Sequence, residues 1–175
     1  MKNKLLLSLF IMSFFLANSQ EFLVKDIQLI PLSVFHTNKK QDNFSTGGIH
    51  LGLDLGFKIH KQNFRLQLNS GTNVNILSTN DDSFTSINLL YELSPKIFEW
   101  MSTDIYSGIG INHISFERDY SVPISNTYFN VPIGMRFMFL TKNRISLGLQ
   151  FQSDFNYDNN TLIYSTVIRY NFKKN

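Results

Sequence analysis

IHLGLDLGFKIH, residues 49–60, decides the fold. Ile49, Leu51, Leu53, Leu55, Phe57 and Ile59 share one parity, and His50, Gly52, Asp54, Gly56, Lys58 and His60 share the other. Successive side chains of a strand point to opposite faces, so this alternation builds one greasy face and one polar face. A 3.6-residue period would scatter the same six apolar positions around a helix.

The pattern recurs outward from this segment. Residues 64–76, 87–93, 105–112, 129–139, 145–157 and 162–172 alternate in the same way, and 24–36 is strand-like but less regular. Together they predict eight strands. Between them lie 38–46, 61–63, 79–83, 95–101, 117–126, 141–144 and 158–161, mostly rich in Asn, Asp, Lys, Gly, Pro and Ser, as turns require. No helical period follows residue 20, and no linker divides the chain.

Composition narrows the class. The 175 residues suit one domain. Charged residues make up 17%, against roughly 25% in ordinary soluble domains, which argues against a disordered chain and a nucleic-acid binder. The absence of Cys excludes disulfides, thiolate metal sites, a Cys nucleophile and a lipidated N-terminal Cys.

The first residues read as an address. Lys2 and Lys4 precede the apolar run LLLSLFIMSFFL at 5–16, and Ala17-Asn18-Ser19 fits a small-x-small cleavage site. Twelve apolar residues are too few for a spanning helix, which needs about 20. Residues 1–19 are therefore expected to be a cleaved signal peptide and 20–175 the barrel domain. Without Lys2 and Lys4 the 16 basic residues fall to 14, against 13 acidic ones, so the formal +3 is partly the export signal.

Strand length and face chemistry separate a membrane barrel from a soluble one. The periodic segments run mostly about 11 to 13 residues, whereas strands of globular proteins average about 5–6. A tilted strand crosses a bilayer in about 9–11 residues. An eight-stranded barrel has an interior just wide enough for side chains. Phe57, Phe129, Phe137, Phe139, Phe151 and Phe155 would overfill it; turned outward, they meet lipid. A sheet in hydrocarbon must also close on itself, because no edge can be left unpaired. Phe64, Phe84, Phe98, Trp100, Phe116, Tyr128, Phe129, Phe139, Tyr157, Tyr170 and Phe172 lie near strand ends, as two interfacial girdles would. The expected fold is all-β: an eight-stranded antiparallel up-and-down transmembrane β-barrel.

The export signal, the eight alternating strands and the final strand LIYSTVIRYNF (162–172) resemble the small bacterial outer-membrane barrels of the OmpA transmembrane-domain and OmpX type. That resemblance implies an outer-membrane location, lipid as neighbour, and recognition of the C-terminal strand by the outer-membrane insertion machinery. Here Lys173, Lys174 and Asn175 follow Phe172, so the aromatic residue is not the last.

Pro31 and Pro132 fall inside strands, where proline cannot donate to the ladder. Each is expected to sit at a bulge or a locally lost hydrogen bond.

Parity places Asp54, Lys58, Arg65, Glu92, Asp104, Arg136, Asp154 and Arg169 in the lumen: four acids and four bases. Buried charges need partners, so a balanced set predicts a neutralised network and a plugged lumen. A wide ion-selective pore would show one dominant sign.

One hint of catalysis is His113-Ile114-Ser115 with Glu117 close by. Outer-membrane lipid A deacylases activate a serine with such a set, and His113 and Ser115 share a strand face. Phe116 stands where that family usually carries Asn soon after the serine, and three strands follow the pair here. His36, His50 and His60 fall on different strands or strand ends and form no metal-ligand spacing, although His50, Asp54 and His60 could share a lumen face.

The expected function is a structural or loop-mediated role in the cell envelope, without catalysis, cofactor, metal or nucleic acid. The loops around 38–46 and 117–126 are the expected contact sites for an extracellular partner. A lipid-modifying hydrolase is one alternative. A secreted lipocalin-like barrel is another; it requires a greasy lumen and a polar exterior.

Overall fold

The computed structural model describes residues 22–39, 45–73, 83–116, 124–157 and 159–172. The expected signal peptide lies outside these residues, as does Glu117. Among the described residues nine strands form one sheet: β1 (Phe22–Lys39), β2 (Ser45–Ile59), β3 (Gln62–Asn73), β4 (Ser83–Leu93), β5 (Lys96–Phe98), β6 (Met101–Phe116), β7 (Ile124–Phe139), β8 (Ile145–Phe155) and β9 (Asn159–Asn171). β5 is a three-residue piece beside β6 at the β4–β6 connection. The other eight are long, each antiparallel to its sequence neighbour. β1 pairs with β9, and β4 pairs with β6, so the sheet closes into an eight-stranded barrel.

The sequence-predicted strands are all present, most of them longer than their periodic cores. The expected 105–112 is the middle of β6, and the expected 87–93 is the last part of β4. Ladder pairing carries these strands past the alternating segment, because backbone hydrogen bonds do not need side-chain contrast.

The outer face is apolar. Leu51 is 60% exposed, Ile111 58% and Phe129 62%, and each sits between inward neighbours that are buried or half-buried. This is the reverse of a lipocalin-like barrel. Aromatic contacts run around the end that holds the short turns: Phe22–Phe57, Phe57–Phe64, Phe64–Tyr91, Phe98–Trp100, Trp100–Phe139 and Tyr170–Phe172. Phe84 does not belong to that outer set. It is 6% exposed and points inward.

The two prolines behave differently. At Pro31 the β1 ladder slips: pairing with β2 jumps between Ile30 and Ser33, and pairing with β9 between Leu29 and Ser33. Thr166 Oγ1 donates to the stranded Leu32 carbonyl at 3.2 Å. The bulge changes which parity faces inward, from Asp26, Gln28 and Ile30 to Ser33, Phe35 and Thr37. That explains why the first strand reads as irregular in sequence. Pro132 keeps its register with Asp154 on β8, but the β6–β7 ladder is interrupted between Ser107–Ile133 and Gly110–Asn130. The missing N–H is absorbed as a lost rung.

His60 and Leu140 hold positive φ, 56° and 59°, in the turns after β2 and β7. Left-handed backbone costs a Cβ-bearing residue about 1–2 kcal/mol, and Leu140 has no local hydrogen bond from its side chain to offset this. Leu140→Gly is expected to stabilise the barrel by about 1 kcal/mol. Equilibrium urea unfolding in micelles measures this as a higher midpoint at unchanged slope.

Candidate functional site

The interior of the barrel is stacked in three layers. The first lies toward the chain termini and short turns and consists of ion pairs. Arg65, on β3, donates from Nη1 to Asp26 Oδ1 at 2.8 Å and from Nε to Glu92 Oε2 at 2.9 Å. Arg136, on β7, donates from Nη2 to Asp54 Oδ2 at 2.7 Å and from Nη1 to Glu92 Oε2 at 3.3 Å. Arg169 pairs with Asp104, and Lys25 Nζ reaches Glu92 Oε1 at 3.3 Å. Gln28 fits with its amide oxygen turned to accept from Arg65 and Arg169. Every one of these carboxylates is fully or almost fully buried, so each needs the charge opposite it.

Small residues make room for this layer. A Cβ on Gly56 would stand 2.8 Å from both oxygens of Asp26. A Cβ on Gly134 would stand 2.5 Å from the Tyr106 hydroxyl, whose ring carries the Arg136 guanidinium 4.3 Å from its centroid.

Amides make the second layer. Gln67 and Gln152 exchange two side-chain hydrogen bonds across the lumen, each 3.1 Å. Asn88 donates to Gln67 at 2.9 Å, Asn130 to Asn88 at 3.1 Å, and Tyr106 OH to Gln152 at 3.0 Å. Such cross-linked amides fix the strands around them because each satisfies its neighbour in a dry interior.

The third layer, toward the loops, holds an apolar cluster among buried polar side chains. Phe35, Phe84, Ile114 and Ile163 pack together, with Tyr128 against them. Phe35 meets Phe84 edge-on at 4.9 Å, and the buried His50 ring lies parallel to Phe84 at 5.8 Å. A smaller apolar group, Ile30, Met138 and Val167, lies elsewhere on the inner wall.

Seven of the eight charges assigned to the lumen by parity are buried there: Asp54, Arg65, Glu92, Asp104, Arg136, Asp154 and Arg169. Two of the eight stand apart from the ion pairs. Lys58 is half-buried at the mouth and makes no ion pair among the described residues. Asp154 is buried but has no base beside it; Gln152 Nε2 donates to its Oδ1 at 2.7 Å. Lys25 and Asp26 take their places, so four bases still face four acids. Both belong to the irregular first strand, where the bulge hides the parity. Gln28 and the apolar cluster also escape sequence reading, whereas Tyr106 falls on the inner parity of 105–112 and is buried there. The polar-in rule gives no reason to place Phe84 inside.

The remaining candidates are dispersed. His113 is exposed on the outer face near the loop end, and its Nδ1 lies 3.0 Å from Thr127 Oγ1 across the strand pair. It is therefore engaged with β7 and not with Ser115. His50 is buried, whereas His36 is exposed and His60 occupies a turn. His60 does not share the lumen face with His50 and Asp54. Among the described residues no group of three or more His, Asp or Glu is placed to hold a metal.

Comparison with known proteins adds the fold's relatives. No family model matches the chain, and no curated protein matches it in sequence. Among solved structures it is similar to the Neisserial surface protein A, NspA, at 11% identity and a TM-score of 0.71, over 87% of this chain and 100% of that one. It is similar to Ail, the attachment invasion locus protein of Yersinia pestis, at 12% identity and a TM-score of 0.62, over 85% and 99% of the two chains. A major outer membrane protein from Thermus thermophilus aligns at 10% identity and a TM-score of 0.57, over 85% and 100%. The fold is that of the small outer-membrane β-barrels.

Proposed function

We propose that this outer-membrane barrel is a plugged, non-catalytic envelope protein that acts through its fold and its loops. The observation that carries this reading is the filled interior. Ion pairs, crossed amides and an aromatic stopper follow one another along the axis, in a barrel whose bore is only wide enough for side chains. Lipid is its permanent partner along the apolar belt. β9, an alternating terminal strand, is the segment offered to the outer-membrane insertion machinery. The short turns and termini face the periplasm, and the longer connections face outward. Contact with an extracellular surface is the role left to those connections. The name of Ail, the attachment invasion locus protein, supports a role of that kind.

Planar-bilayer recording of the purified barrel tests the plug. The expected trace has no steady unitary steps across roughly ±100 mV, a field worth about 2.3 kcal/mol per elementary charge moved. Reproducible single-channel openings at low voltage would overturn the reading.

A further inference from the structure

We propose that the turn-side mouth of the barrel is a binding site for a phosphate dianion. A cavity of about 300 Å³ opens there, on the turn side of the layer of ion pairs. Among the described residues Lys25, Lys58, Lys96 and Arg169 line it, against one carboxylate, Asp104.

Charge balance within the fold singles out two of these cations. The layer beneath is already neutral: Lys25, Arg65, Arg136 and Arg169 face Asp26, Asp54, Glu92 and Asp104. Lys58 and Lys96 are therefore surplus, and neither has an ion-pair partner among the described residues. By contrast Lys142, on the same rim, is paired with Glu99. Two uncompensated lysines lining one concavity over a low-dielectric wall concentrate positive potential.

The lining fits phosphate better than a simple carboxylate. A phosphomonoester carries about −1.5 to −2 charges at pH 7 and three acceptor oxygens. Its charge matches the two surplus lysines. Its oxygens can take donors from Ser94, Ser102 and Asn63 on the same wall. Lysine serves phosphate as a mobile point charge, which suits a mouth open to solvent. A monocarboxylate would neutralise only one of the two.

Inorganic phosphate titrated into the full barrel in zwitterionic nanodiscs, at constant ionic strength, tests the site by ³¹P line broadening. Saturable broadening is expected, weakened about tenfold in Lys58→Gln/Lys96→Gln, as loss of two exposed charge contacts would give. Lys142→Gln should titrate like the parent chain. Lys58→Arg/Lys96→Arg should retain binding, which separates lost charge from a disturbed fold. A heat-modifiable gel shift reports folding of each variant. Short-chain phosphatidic acid, a phosphomonoester lipid, added in a second arm, separates sources: competition with phosphate assigns the site to lipid headgroups, and no competition assigns it to free phosphomonoesters. Non-saturating broadening, or equal titration by the Gln variant, would overturn the proposal. So would succinate competing as well as phosphate does, since the mouth would then read charge alone.

Discussion

Arg65→Met is expected to destabilise the barrel by about 3–5 kcal/mol, the cost of removing one partner from a buried ion-pair network. Arg65 is fully buried and bridges Asp26, on β1, to Glu92, on β4. Without it Asp26 keeps only longer approaches, 3.9 Å from Lys25 Nζ and 3.9 Å from Arg169 Nε. Glu92 keeps Arg136 at 3.3 Å and Lys25 at 3.3 Å, so it is weakened less. The excess negative charge therefore settles on Asp26. Urea unfolding in micelles, followed through the single tryptophan Trp100, measures the loss. Adding Asp26→Asn and Glu92→Gln to Arg65→Met should recover most of it, because the buried carboxylates are then gone. A loss under about 1 kcal/mol for Arg65→Met alone would mean that water already shields this layer.

That pairing could not be read from the sequence, although most of its members could. Alternation puts Arg65, Glu92 and Arg136 on the inner face because each sits between two outward apolar residues. It does not say who meets whom. Arg136 lies directly opposite Asp104 in the β6–β7 ladder, yet it reaches across the lumen to Asp54, and Arg169 takes Asp104. Such choices are set by barrel closure, which brings β2 and β7 to face each other. Two other features were hidden for different reasons. The bulge at Pro31 reverses parity within one strand, so a single frame cannot describe β1 and conceals Asp26. The apolar cluster on the loop side is hidden because Phe84 and Tyr128 read equally well as girdle residues. Only the third dimension shows that the ion pairs gather toward the turns and that this cluster sits toward the loops. Most of the outer face was legible, since its exposed apolar residues recur at every second position of the sequence.

That outer face carries the second large effect. Leu53→Arg is expected to cost about 2–4 kcal/mol, the range for a basic residue at the midplane of a membrane barrel. Leu53 lies far from both ends of β2, opposite Leu29 on β1 and Leu68 on β3, and all three are exposed on the outside. An arginine there must drag water into hydrocarbon or bend its side chain toward an interface. Ile97, half-exposed in β5 beside the short turns, is the matched control. Ile97→Arg should cost only about 0–1 kcal/mol, because the penalty falls toward the headgroups. Unfolding both variants from lipid vesicles gives the depth dependence directly. If the wall faced water, neither substitution would move the midpoint by more than about 0.5 kcal/mol, and the difference between the two would vanish. A large cost at Leu53 with a small one at Ile97 requires a hydrocarbon layer centred on the strands and ending short of β5.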